Sequence, residues 1–398
     1  MKHSTPHEVT RELSARECNA FLALGKSACI GLIQNALALA ALPVHSTVQN
    51  QATASQATMH RGWDIHERTR AAYCSVSTME ASLADFRGFF HRDSPEEYNA
   101  FAKTLSPHFI ARKHLFTVQE DREYIELSAS IAWHAYRVMP LIPSRDLCVL
   151  EYSTAVEIQD DIRGHRKGWV RCLHSVEIDD CPPLRGYRRS RLSRSGHLAL
   201  ETDMPGIVEV FSVVIPEYGG RLPSCMATKL THRHLSHALK IEEYMAKTRL
   251  IPWLDESDGP DIVRLSEFTQ KCSRCDRSFS WRRRRRECCV CYKTICKKCA
   301  TQWKVPLGPN QAPTDVFACP PCLCPKVIRP RASQRTMMLS CTDAQRERLR
   351  QLAAQESPTP EKHTLQTEDL EQLIHTTNEL VNLVHELTQT FDDVRSIQ

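Results

Sequence analysis

Four Cys-x2-Cys pairs carry the plainest chemistry in this chain. Cys272 and Cys275 are followed after 12 residues by Cys288 and Cys291, after four by Cys296 and Cys299, and after 19 by Cys319 and Cys322. A Cys-x2-Cys turn sets two thiolates on one metal with little strain. Zinc takes four soft ligands in a tetrahedron, so eight thiolates predict two closed structural sites. Each such ion contributes on the order of 10 kcal/mol of binding free energy, which for so small a module is folding free energy. Ten of the 18 cysteines lie between Cys272 and Cys324. A clustered, paired set reads as metal ligation rather than a disulfide framework. Cys289 and Cys324 break the spacing and are spare. Isolated cysteines such as Cys74, Cys148 and Cys172 sit in strand-like contexts and read as buried core.

The same stretch is strongly basic. Residues 271–304 hold 12 Lys/Arg against 2 Asp/Glu, an excess of ten in a chain of formal net charge +5. The rest is therefore weakly acidic, and the patch predicts an anionic partner, phospholipid or nucleic acid. Its centre is Trp281 followed by Arg282, Arg283, Arg284, Arg285 and Arg286. Near an anionic leaflet each basic residue is worth about 1 kcal/mol, and an interfacial tryptophan suits that place. The competing reading is a solvated face with Trp281 packed on the arginines. Nucleic-acid modules interleave several stacking aromatics with basic residues, and only Trp281 does so here, which disfavours nucleic acid.

The chain that positions these groups is 398 residues long, which predicts two to three domains, and it is 41% apolar and 25% charged. Residues 14–42 have apolar residues at helical spacing and end at Pro43. Residues 45–60 are polar and read as a linker. Short helices are predicted at 80–90 and 95–105, the second opened by Ser94-Pro95. From about 113 to 216 the apolar period becomes 2, and Met204-Pro205-Gly206-Ile207 is a type II turn, so 196–216 is a hairpin. From Pro223 to Leu250 the period is helical again. Helices, antiparallel strands and a last long helix make an α+β domain whose curved sheet wraps that helix. A capping box at Thr342 opens a helix over 342–356. Residues 367–396 carry a heptad seam with Leu373, Leu380 and Leu387 at d, which predicts a coiled coil and favours a parallel homodimer over a helix folded back on the α+β domain or paired with another protein.

The cysteine spacing closely resembles the FYVE family of phosphoinositide-binding fingers. Phe279 stands where that family has a core aromatic, and Arg284-Arg285-Arg286-Glu287-Cys288-Cys289 occupies the place of its basic motif. The resemblance implies interleaved pairs: one zinc on Cys272, Cys275, Cys296 and Cys299, the other on Cys288, Cys291, Cys319 and Cys322. It also implies a membrane-dipping loop at Trp281. The two histidines of the family motif are Arg286 and Glu287 here, the glycine after the second pair is Tyr292, and the upstream Trp-x-x-Asp is missing. The zinc scaffold is kept while the 3-phosphate pocket is largely lost.

The helix–sheet–helix order over 65–250 resembles the START lipid-binding family, a helix-grip fold. It rests on Ser144 to Tyr152, on Gly168 to Val176, and on Arg194-Ser195-Gly196-His197 leading to Glu201 through Gly206. The resemblance implies an apolar tunnel between the sheet and the last helix, holding one lipid. Arg171 and Glu209, charged among apolar strand neighbours, are either anchors in that tunnel or residues of the solvent face. The finger occupies 268–325.

No Gly-x-Ser-x-Gly, P-loop or dinucleotide fingerprint occurs, so no enzyme is expected. The N-terminus carries acidic residues unlike a targeting peptide, and no uninterrupted apolar run of 18 follows. The expectation is a cytoplasmic, non-enzymatic protein, peripheral on endosomal membranes, that binds a lipid in its START-like domain and anionic or phosphoinositide membranes through its finger. The alternative is an interaction scaffold built on an inert START-like platform.

Overall fold

A capping box opens the first helix, α1 (Ala15–Ala40). The Glu17 carboxylate accepts the Ser14 N–H at 2.8 Å, and the Glu17 N–H donates to Ser14 Oγ at 3.3 Å. The coordinates are a computed structural model that describes residues 5–6, 9–90, 98–99, 102, 108–120, 127–139, 142–160, 164–255, 269–281, 283–305 and 314–323. The expected elements at 342–356 and 367–396, and most of the helix expected at 95–105, lie outside them.

After α1 come β1 (Ser46–Gln49), β2 (Gln56–Trp63), β3 (Ala71–Glu80), α2 (Leu83–Phe90), β4 (Phe109–Glu120), β5 (Leu127–Tyr136), β6 (Ser144–Asp160), β7 (Gly164–Ser175), β8 (Tyr187–Arg189), β9 (Arg191–Leu192), β10 (Ser195–Glu201), β11 (Ile207–Val214) and β12 (Pro216–Glu217). Helices α3 (Ser224–Leu235) and α4 (His237–Asp255) follow. One sheet runs β1-β2-β3-β11-β10-β7-β6-β5-β4, with β8 added beside β6. Neighbours along that path are antiparallel, for example Gly196↔Cys172 and Leu198↔Phe211. The β10–β11 turn is the expected one: Gly206 has φ 76° and the Ile207 N–H donates to Met204 O at 3.1 Å.

The 2-residue period sorts side chains to two faces. Leu198, Leu200, Val170, Cys172 and Phe211 meet Cys29, Leu32, Ala36 and Leu39 of α1. Ala199, Trp169 and Val210 point the other way, against Phe86 and Phe89 of α2 and Ala238, Ile241 and Met245 of α4. The helix read separately over 14–42 is thus one outer layer of the sheet. It has an 18-residue window of mean hydropathy 1.4, and half of that window is buried in the protein. Gly25 permits its close approach, since a Cβ there would lie 2.2 Å from the Tyr152 ring.

Two expectations are corrected. Residues 45–60 are not a linker: β1 and most of β2 fall within them, and β2 pairs with β3 over 57–63. Their Ser, Thr, Gln and Ala residues give almost no hydropathy alternation, and pairing with β3 supplies what the side chains do not. The helix expected from 223 to 250 is two helices that meet at Ser236, whose Oγ donates to His232 O at 2.8 Å.

The cysteine module has two hairpins and a short helix: β13 (Arg285–Glu287) with β14 (Thr294–Cys296), β15 (Thr301–Val305) with β16 (Thr314–Ala318), and α5 (Pro320–Leu323). Its core of Ile295, Trp303, Ala318 and Leu323 is shared with Ala246 and Leu250 of α4. Arg249 Nη2 donates to Leu323 O at 3.1 Å, and Thr301 Oγ1 donates to Ala52 O at 2.8 Å.

Candidate zinc centres and an internal cavity

Two turns of the same shape bring the first cysteine pairs into position. The Asp276 N–H donates to Cys272 O at 2.9 Å, and the Tyr292 N–H donates to Cys288 O at 2.8 Å. Both Asp276 and Tyr292 have φ 53°, in the left-handed region that closes such a turn. The hairpins then add the later pairs. Cys272, Cys275, Cys296 and Cys299 form one group and Cys288, Cys291, Cys319 and Cys322 the other, each with its sulfurs within 4.8 Å of one another. First pair meets third and second meets fourth.

This geometry fits zinc. Cys275 and Cys296 sulfurs are 3.9 Å apart, as are those of Cys291 and Cys319. Four sulfurs about 2.3 Å from one ion stand about 3.8 Å from each other. The surroundings favour the thiolate at Cys272 and Cys288. Burial and neighbouring thiols instead raise the pKa of Cys299 and Cys322, and Cys288 together with burial raises that of Cys319. Burial opposes the Cys272 thiolate, but N–H groups of Arg274 and Cys296, 3.4 and 3.2 Å from the sulfur, outweigh it and bring the thiol to about 6. Cys319 and neighbouring N–H groups bring Cys288 to about 4 against the cost of its burial. The two groups of four could coordinate two zinc ions. Cys289 belongs to neither and donates its N–H to Phe317 O; Cys324 lies outside the described residues.

The basic run surrounds this module. Trp281 is 79% exposed. Arg284 is exposed, while Arg283 is half-buried with Nη1 on Ser278 O at 3.1 Å. Arg285 lies over the Phe279 ring and Arg286 over Phe317, at 5.2 and 4.7 Å. These last two stack on finger aromatics as well as adding charge. Arg282 lies outside the described residues.

Between the sheet and helices α2 to α4 lies a cavity of about 200 Å³. Its lining interleaves Phe89, Leu147, Leu173, Val214 and Leu230 with His134, Arg171, His197, Arg233, His234 and His237. Next to His134 and Arg171, Glu151 on β6 draws three further strands together. Arg112 meets its two oxygens at 3.0 and 3.2 Å, Arg171 Nη2 at 3.3 Å and His134 Nε2 at 2.5 Å. Burial works against the Glu151 carboxylate, but the two guanidiniums outweigh it and hold its pKa well below the usual range. His197 Nδ1 lies 2.8 Å from Ser212 Oγ, and the ring stacks on His237 at 5.6 Å. Burial pushes His234 and His237 down to about 4, with a neighbouring cation or imidazole adding to the shift.

No family model matches this chain, and no curated protein matches it. Among solved structures it is similar to human StAR-related lipid transfer protein 5, at 10% identity and a TM-score of 0.43 over 56% of this chain and 96% of that one. It is also similar to human STARD10, at 14% identity and a TM-score of 0.35 over 64% of this chain and 92% of that one. A STAR-related lipid transfer protein fragment from Xanthomonas axonopodis shows 14% identity and a TM-score of 0.34 over 50% of this chain and 97% of that one.

The two charged residues left open by the sequence separate. Arg171 is 7% exposed and lines the cavity. Glu209 is equally buried but pairs across the sheet with Leu200, on the α1 face, and meets Arg166 Nη2 at 3.0 Å. Sequence reasoning missed Arg112, His134, Glu151, His197 and the Arg233–His237 segment. A polar residue between apolar neighbours, such as Glu151 between Leu150 and Tyr152, reads as the outward face of a strand, so the sequence carried no signal that it turns toward the cavity.

Proposed function

We propose that this chain is a lipid-binding protein that docks on anionic membranes through a zinc-supported, FYVE-like finger. The observation that carries the reading is the cavity between sheet and C-terminal helices, whose apolar lining is interrupted by two arginines and several histidines. A concave apolar site with a few convergent polar groups suits an amphiphile. No catalytic step is assigned to it. Native mass spectrometry of the purified full-length protein tests this directly. The expected mass exceeds that of the chain by two zinc ions and one small amphiphile. A protein that never carries a lipid, even after incubation with lipid vesicles, would overturn the reading.

The finger's part rests on Trp281, exposed beside the arginine run. An aromatic at the interface and basic residues over an anionic leaflet are complementary. Binding to vesicles should follow total anionic charge and weaken steeply with salt, because exposed charges are screened beyond about 8 Å at physiological ionic strength. Strong salt-resistant selectivity for phosphatidylinositol 3-phosphate would contradict this. The setting that suits both activities is the cytoplasmic face of endosomes, with two chains joined through 367–396 so that paired fingers gain from effective concentration. Light scattering checks that pairing: Leu380→Pro should convert a dimer to monomer.

A further inference from the structure

The cavity's charge balance says more than that it holds a lipid. Its described lining includes Arg171, Arg233 and five histidines, 108, 134, 197, 234 and 237, and no aspartate or glutamate. The nearest carboxylate is Glu151, and it is already engaged by Arg112, Arg171 and His134. Two guanidiniums thus share one carboxylate, and Arg233 adds a third cation.

Arg233 is the informative group. It stands in the last turn of α3, and its Nη1 is buried with no hydrogen-bond partner among the described residues. Burial lowers its pKa, which is the mark of a cation held where its charge is poorly compensated. Its electrostatic neighbour is the neutral Tyr218, whose hydroxyl is 2.8 Å from Thr231 Oγ1. A buried donor without an acceptor is a standing cost that a suitable ligand removes. His234 and His237 flank it on the cavity wall, and neutral imidazoles can donate an N–H to an oxyanion without bringing a proton of their own.

We propose that the cavity selects an amphiphile with one anionic head group, carboxylate or phosphate, bound by Arg233 together with His234 and His237. An ammonium or choline head group would meet like charge here. An uncharged alcohol could accept one hydrogen bond but would leave the guanidinium's charge unanswered. This inference rests on the lipid-binding reading above.

The test uses the full-length, zinc-loaded protein and a neutral reporter, N-phenyl-1-naphthylamine, bound in the cavity. Decanoate, decyl phosphate and 1-decanol share a chain and differ in head group. At least one of the two anions should displace the reporter at a concentration tenfold or more below that of 1-decanol. The tighter anion identifies the head group as carboxylate or phosphate. Arg233→Gln should abolish the preference while leaving 1-decanol unchanged, and Arg233→Lys should keep part of it. Equal displacement by all three ligands would overturn the selectivity while leaving lipid binding intact. So would a preference that survives in a folded Arg233→Gln protein. If neither the reporter nor any of the three ligands binds, the lipid-binding reading falls and this inference with it.

Discussion

Glu151 is the residue on which most of the buried charge depends. Replacing it by glutamine leaves Arg112 and Arg171 close together inside the protein without a counter-charge. Removing one partner of a buried pair costs about 3–5 kcal/mol, far more than the pair is worth against an apolar substitute. Glu151→Gln should therefore lose about that much stability in urea denaturation, and a loss below about 1 kcal/mol would show that the cluster is solvated. His234 and His237 predict a dependence on pH. Their pKa is about 4 in the fold and near 6.5 in an unfolded chain. Above pH 6.5 both states are neutral and nothing changes. As pH falls from 6.5 to 4 the unfolded chain takes up protons that the fold refuses, so stability drops, and the loss is complete below 4. His108, His134 and His197 share this lining and are likewise held below the usual imidazole range by burial, while Arg171 and Arg233 supply positive charge. Thermal melts at pH 7.5 and 5 should differ less in a His234→Asn, His237→Gln double variant than in the wild type.

At the level of elements, α1 tests packing against propensity. Alanine in place of a mid-helix glycine gains about 1 kcal/mol of helix propensity. At Gly25 the new Cβ would sit 2.2 Å from the Tyr152 ring, on the body of the side chain rather than a mobile end. Overpacking of this kind costs about 1–3 kcal/mol. Gly25→Ala should therefore be destabilising on balance, measured by the denaturation midpoint, and a rise in midpoint would mean that α1 shifts freely on the sheet. The helix itself was legible: its apolar spacing and its end at Pro43 are local features. The edge strands β1 and β2 were not, because Ser, Thr and Gln in 45–60 form a strand only when β3 is there to pair with them.

In the molecule as a whole the cysteine module is joined to the sheet domain through α4. Ala246 and Leu250 lie in the finger's core, while His237 at the other end of the same helix lines the cavity. A separable finger would leave the sheet domain untouched when it loses metal. Here the loss should be felt across the joint. Cys291→Ser should remove one zinc, counted by native mass spectrometry, and expose Leu250. Burial of a leucine contributes about 2 kcal/mol, which in a domain of this size corresponds to about 5 °C. A sheet domain whose melting is unchanged in that variant would refute the coupling.

The metal-binding potential was written in the sequence because ligand type and short spacing are local, and eight paired thiols have few other uses. The β10–β11 hairpin was legible for the same reason, since Pro205 and Gly206 set their own backbone angles. The tertiary structure alone decided which charged residues face inward together. Arg112, His134, Glu151 and Arg171 come from four strands, and only the register of β4 through β7 brings them to one carboxylate. It also decided that Glu209, equally charged and equally buried, belongs to the opposite face. A strand's period of two says that neighbours along the chain alternate, but which face closes over a cavity depends on where the helices pack.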